Sequence, residues 1–390
     1  MRSYSIRKTK SGQYLSIILL FITSDIICDN FIFRSFNKQS QTFEFLLFLS
    51  LLLLQIFASP IQSGLSDFYS RKKSLIISLS SSLISLILVS FYDQKIFAIP
   101  FLLIIITLFK GCLGNTIPLS WAAIADTQDK NFRFSFGLST AAFAVGYLIL
   151  VFSNKYLNEK EANFYVIALF ILLIYLCFFH FRDIKDINHK RIKFSDVFEE
   201  FKTIYHEILK INTRNALVAF LLWEVSLYSI LLLYIDFDIS EFSSTAIGMM
   251  CGYLVGVLIL KFSTKIVDTR MIRIGYYTSV FSLIPFLVLF PFFESTKHSL
   301  LVISYFFHTM GNAFLCPTLF AILSKEREPH QQGKIYGLIE STDTLAFLLA
   351  SVTVMLYQFY KIDLMYIILF SFVTIAISWL PYIRFEAKKQ

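Results

Sequence analysis

The stretch Ser63-Gly64-Leu65-Ser66-Asp67-Phe68-Tyr69-Ser70-Arg71-Lys72-Lys73 lies between two apolar runs, 43–62 and 74–92. Each run is about the length that a helix needs to cross a bilayer. A turn carrying one acid and three bases, squeezed between two such runs, reads as the water-facing connection of a membrane hairpin. The pattern repeats outward along the chain. Spans are expected at 14–36, 43–62, 74–92, 96–120, 135–153, 163–181, 214–235, 244–263, 272–293, 299–323, 335–358 and 364–383, twelve in all. Composition agrees: of 390 residues, 56% are hydrophobic, 16% are charged and 44 are Phe, which excludes a water-soluble enzyme of this size.

The formal charge of +8 raises nucleic acid as a partner until the bases are placed. With both termini in the cytoplasm, 27 of the 35 Lys and Arg fall in cytoplasmic loops and tails. Seven fall opposite (Arg34, Lys38, Lys95, Lys155, Lys160, Lys297, Lys361), and Lys110 lies inside a span. The positive-inside rule then gives N-in, C-in topology, with anionic lipid rather than nucleic acid as the electrostatic neighbour. The first span carries Asp25 and Asp29 and lacks a small-residue cleavage site, so it reads as a retained helix. Cys28, Cys112, Cys177, Cys251 and Cys316 all fall in apolar spans and read as small buried hydrophobes, with no disulfide framework or metal site.

Three segments are expected: 1–181, a linker at 182–213, and 214–390. The linker opens with charges from Arg182 to Lys193. It then places Phe194, Val197, Phe198, Phe201, Ile204, Tyr205 and Ile208 at helical spacing, the pattern of a helix at the membrane surface with its apolar face on lipid or on the bundle. The halves echo each other. Phe136-Gly137-Leu138-Ser139-Thr140 returns loosely as Tyr336-Gly337-Leu338 with Ser341-Thr342, and Gly114-Asn115 with Pro118 returns as Gly311-Asn312 with Pro317. Six crossings between equivalent points keep the two copies parallel.

The opening stretch resembles the signature between helices 2 and 3 of the major facilitator superfamily, G-x-L-[AS]-D-[RK]-x-G-R-[RK]. Leu65, Ser66, Asp67, Arg71 and Lys72 match it, whereas Ser63, Phe68 and Ser70 depart from it. Lys110-Gly111-Cys112-Leu113-Gly114-Asn115 resembles the R-x-x-x-G-x-G element of helix 4 with Lys for Arg, and Ile124-Ala125-Asp126 with Arg133 and Gly137 resembles the helix 4–5 connection. Pro317 to Leu338 is similar to drug:proton antiporter-type members, but no G-x-x-x-G-P occurs in helix 5. The resemblance implies an all-α membrane fold of twelve helices in two six-helix bundles, and solute transport by alternating access. Asp67, Arg71 and Lys72 then read as a gating latch made in one state and broken in another. The alternative is a topology-setting basic loop.

A charge at mid-bilayer costs roughly 2.5–3.5 kcal/mol on insertion scales and demands a partner or a purpose. Asp25 and Asp29, four apart, share a face of helix 1, and depth counted from the cytoplasm brings Lys110 and Glu224 to a similar level. We read Asp25, Asp29, Lys110 and Glu224 as the proton-coupling or substrate group; the alternative is a static Asp25–Lys110 pair. Asn115, His308, Asn312, Glu340 and Asp343 are expected at a substrate cavity. For Glu340 and Asp343 the competing readings are partners of Arg71 or interfacial groups, and for His308 a satisfied core histidine.

No nucleophile-base set, H-E-x-x-H, G-x-S-x-G or Walker sequence occurs, so enzymatic chemistry is not expected, nor is a cofactor or metal. The expected partners are a small organic solute, protons and the lipid bilayer, for a functional monomer in a bacterial inner membrane. Uptake of a polar metabolite and export of a drug or siderophore-like metabolite stay open. So does a non-transporting sensor or scaffold descended from the same superfamily, for which the lost glycines of the latch are the argument.

Overall fold

A computed structural model describes residues 8–36, 41–93, 100–127, 131–182, 194–235, 239–289, 297–327, 331–360 and 364–387. Among the described residues every regular element is helical. The order is α1 (Lys8–Phe36), α2 (Gln41–Ser66), α3 (Arg71–Asp93), α4 (Pro100–Leu113), α5 (Ile117–Asp126), α6 (Phe132–Tyr156), α7 (Glu159–Phe179), α8 (Phe194–Leu209), α9 (Ile211–Ile235), α10 (Ile239–Phe262), α11 (Asp268–Leu289), α12 (Lys297–Lys325), α13 (Gln332–Tyr360) and α14 (Leu364–Ala387). Among the described residues eleven stretches are long and apolar enough to cross a membrane, and Ile247–Phe262 of α10 is a shorter apolar helix. Their outward faces carry large bare hydrophobes such as Phe57, Phe101, Phe164 and Phe359, a surface suited to acyl chains rather than water.

Packing divides the chain into two units. One holds Met1–Lys130, Tyr156–Glu200 and Arg327–Gly337; the other holds Asn131–Lys155, Phe201–Glu326 and Leu338–Gln390. In the first, α3 packs on α1, α4 and α7, while α2 lies against α4 and α1 against α5. In the second, α12 packs on α10 and α11, and α14 on α9 and α11. Small residues set the closest approaches: a methyl at Gly256 meets the Cβ of Ala313 at 2.6 Å, so α10 and α12 lie nearly backbone to backbone.

Two features correct the sequence reading. The span expected at 96–120 extends to Asp126 and is broken at Gly114–Thr116 between α4 and α5. Its counterpart in the second half, Gly311-Asn312, lies inside the uninterrupted α12. Within the expected linker stands the helix α8, while residues 183–193 lie outside the described residues. The side chains of Arg34, Lys38, Lys95, Lys155, Lys160, Lys297 and Lys361 also lie outside the description.

Candidate functional site

Within the first unit the helix break is built around Lys110. Its ammonium meets Asp25 Oδ1, lies 3.0 Å from Asp29 and donates to the Gly114 carbonyl at 2.8 Å. Gly114 permits this return, because a Cβ there would strike the Lys110 side chain at 2.7 Å. The backbone groups freed by the break find side-chain partners, as a membrane interior demands. Gln62 donates to the Leu113 carbonyl (2.8 Å) and Ser82 to that of Gly114 (2.9 Å). The Thr116 amide donates to Asp25 Oδ2 at 2.9 Å, and the side-chain Oδ1 of Asn115 accepts from the Ile117 amide at 3.2 Å. Pro118, in the first turn of α5, lacks an N–H that would have had no helical acceptor.

The two aspartates are therefore unequal. Asp25 is wholly buried and bound on both oxygens, joining the break to α1. Asp29 retains 24% side-chain exposure, with Lys110 and Gln55 as neighbours. Asn115 turns away from this cluster and donates to Ser59 Oγ at 2.9 Å.

At the other end of α5 a second network closes on Arg71. Its Nε donates to Asp126 Oδ2 at 3.0 Å, one terminal nitrogen binds Asp67, and the other reaches Ser66 Oγ and the Ser63 carbonyl (3.2 Å). Asp67 also accepts from the backbone amides of Gly333 (3.0 Å) and Lys334 (3.2 Å). These amides open α13, where a helix has donors to spare and its dipole favours an anion. Burial pushes the Asp67 carboxyl above the ordinary carboxylate range, opposed by Arg71 and the Gly333 amide.

Asp126, quoted in the helix 4–5 motif but not assigned to the latch, thus meets Arg71. Lys72, expected in the same latch, donates to the Phe178 carbonyl at 2.5 Å and covers that ring. The departures from the signature are absorbed locally: Ser70 Oγ accepts from the Lys73 amide at 3.1 Å and caps α3, and Ser63 Oγ donates to the Ser59 carbonyl at 2.7 Å.

In the second unit Glu224 accepts from Asn312 Nδ2 (3.1 Å) and from the Cys316 thiol (3.0 Å), so Cys316 is a polar partner rather than the plain hydrophobe expected. Cys251 is exposed, again unlike the buried residue expected. Asp343 accepts from the Tyr228 hydroxyl at 2.9 Å, and both Glu224 and Glu340 act on it electrostatically. Glu340 is buried and Asp343 half-buried. His308 is buried, with Nδ1 3.4 Å from the Ser279 carbonyl.

The connection between α10 and α11 carries another group that the sequence reading missed. Arg133, at the start of α6, donates to the Ser263 (3.2 Å) and Thr264 (3.3 Å) carbonyls and lies 3.3 Å from Asp268, which also holds Lys325 at 2.9 Å. Among the described residues no cluster of three His, Cys, Asp or Glu forms a metal site.

Residues 14–351 match the family model of the Major Facilitator Superfamily. The chain belongs to this superfamily. It is 22% identical over 302 residues to the class B tetracycline resistance protein of Escherichia coli, covering 74% of this chain and 72% of that one. Solved structures of superfamily-like fold align along almost the whole length. A bacterial homologue of the iron transporter ferroportin in its outward-facing state gives a TM-score of 0.74 at 13% identity, covering 97% of this chain and 99% of that one. The human organic anion transporter MFSD10 gives 0.71 at 13%, covering 96% and 99%, and the Escherichia coli fucose:proton symporter gives 0.67 at 13%, covering 94% and 97%. The chain is accordingly a multi-pass membrane transporter and not an enzyme.

Proposed function

We propose that this transporter moves a small organic solute by alternating access driven by protons, with Asp25, Asp29 and Lys110 as the coupling group. The observation that carries the reading is one buried ammonium shared by two carboxylates at a break in a membrane helix. Asp25, bound by Lys110 and the Thr116 amide, holds the break. Asp29, partly exposed, is the group that takes and releases the proton as water access changes. Glu224, with Asn312 and Cys316, forms the polar wall that meets the solute, joined by Asp343 and Glu340. Asp67, Arg71 and Asp126 form the cytoplasmic latch.

The six helices before the linker and the six after it form two bundles about residues 182–213, in a monomer of a bacterial inner membrane with both termini cytoplasmic. The experiment is solute flux into and out of proteoliposomes under an imposed pH gradient, screening sugars, organic anions, drugs and metal chelates. Gradient-driven flux is expected from the wild type. Asp29→Asn is expected to abolish gradient-driven movement while retaining solute exchange. Flux indifferent to both the gradient and the Asp29 change removes the coupling assignment; absence of flux for every solute class removes the transport reading.

A further inference from the structure

The helix α8 has three faces. Glu200, Ile204 and Glu207 are buried at helical spacing. Phe198 (66% exposed), Phe201 (52%) and Tyr205 (58%) form a bare aromatic stripe beside them. Glu199, Lys202, His206 and Lys210 make up the third, exposed face. A helix facing protein, an apolar medium and water at once belongs at a membrane surface. Its attachment agrees: α8 ends at Leu209 and the membrane-crossing α9 begins at Ile211, so no spacer lets α8 leave the bilayer plane. The bases Lys202, Lys210 and Arg214 are exposed where phosphate headgroups would lie.

The buried face is unusual for carrying acids. Glu200 is 4% exposed and lies 3.4 Å from the Lys334 ammonium. Its carboxyl fills the space above Gly64, where a Cβ would come within 2.9 Å of the carboxyl carbon. Lys334 is the residue whose backbone amide also donates to Asp67. The first turn of α13 is therefore gripped twice, through its backbone by the α2–α3 turn and through its side chain by the linker helix.

We propose that α8 is a membrane-seated clasp: its aromatic stripe inserts among the acyl chains of the cytoplasmic leaflet while Glu200 holds Lys334, so that the linker fastens the start of α13 onto the Asp67 turn. Glu200 is a positioning residue, and the proposal rests on the reading of the Asp67 contact as part of the cytoplasmic latch. It explains why a membrane-surface helix buries an acid, and why a glycine stands at position 64.

The test uses the full chain in phosphatidylglycerol-containing vesicles. A nitroxide at Phe201→Cys is expected to collide with oxygen and be shielded from a water-soluble nickel chelate, and one at Glu199→Cys to show the reverse; signal from the unsubstituted protein is subtracted. Equal access of the chelate to both positions overturns the lipid seat. Hydrogen exchange of residues 332–337 reads the clasp without any transport assay. Glu200→Gln is expected to speed that exchange at least threefold, and the charge swap E200K with K334E to restore it. Gly64→Ala is expected to act as Glu200→Gln does in the wild-type background and to add nothing to E200A. Unchanged exchange in both Glu200→Gln and Gly64→Ala overturns the clasp, whatever the flux. Faster exchange with unaltered gradient-driven flux leaves the clasp standing and removes the latch's role in transport.

Discussion

The Asp25 carboxylate takes the backbone amide of Thr116 at 2.9 Å, 91 positions along the chain, and so closes the gap between α4 and α5. Its other oxygen holds Lys110. Removing one member of a buried ion pair strands the other, at a cost of about 3–5 kcal/mol. Asp25→Ala is accordingly expected to lower the apparent unfolding temperature in detergent by several degrees. Asp29→Ala is expected to cost less than half as much, because Asp29 is partly solvated and leaves Lys110 still bound to Asp25 and Gly114. Equal losses from the two substitutions would contradict the anchoring role of Asp25.

Arg71 serves four acceptors in three directions, which a planar guanidinium with five N–H groups can do and a single ammonium cannot. Arg71→Lys keeps the charge, yet is expected to reduce gradient-driven flux at least tenfold. Lys72→Ala removes a contact to the end of α7 and is expected to stay within about twofold of wild type. Initial rates in proteoliposomes at matched protein density decide between them, and a wild-type rate in Arg71→Lys would show that charge alone suffices.

The membrane-interior cluster was legible because charge in hydrocarbon forces pairing: Asp25, Asp29 and Lys110 lie at matching depth and had few other partners. Asp126 was not, since an acid at the cytoplasmic end of a span looks like any helix-end residue, and its partner Arg71 is 55 positions away. The break at Gly114–Thr116 did leave a signal, glycine, asparagine and a following proline, but the surrounding apolar run reads as one uninterrupted span. Asp268 opens α11 next to a stretch where bases outnumber acids, and only the fold brings Arg133 to it. The inverted face of α8 also escapes periodicity, which locates an apolar stripe without saying whether protein or lipid covers it.

Burial raises the Asp67 carboxyl in the folded chain above its value in the unfolded one, so the folded state takes up the proton first as pH falls. This group's contribution to stability therefore grows on acidification from its folded pKa down to the unfolded value near 4, and is lost as pH rises back through the folded pKa. Asp67→Asn fixes a neutral side chain of the same shape. The unfolding temperature of the wild type relative to D67N is expected to rise as the pH is lowered from 7 towards 4.5. A relative decrease would mean that Arg71 and the α13 amides outweigh burial.

Gly337 marks a close approach of the first turns of α13 to α2: a Cβ there would meet the Cα of Pro60, the Ser59 carbonyl at 2.8 Å and the Ser63 hydroxyl. Two of these three are backbone atoms held by the helix, so rotating a side chain cannot relieve the clash. Overpacking of this kind costs about 1–3 kcal/mol. Gly337→Ala is expected to lower both the unfolding temperature and the flux, and Ser63→Gly is expected not to rescue it, since the Pro60 and Ser59 contacts remain. Gly64 is the instructive contrast, because its neighbour is the end of the Glu200 side chain, which can swing away. Unfolding temperature and flux for G337A, S63G and the double variant separate the cases: rescue by Ser63→Gly would place the constraint in one hydroxyl rather than in the approach of two backbones.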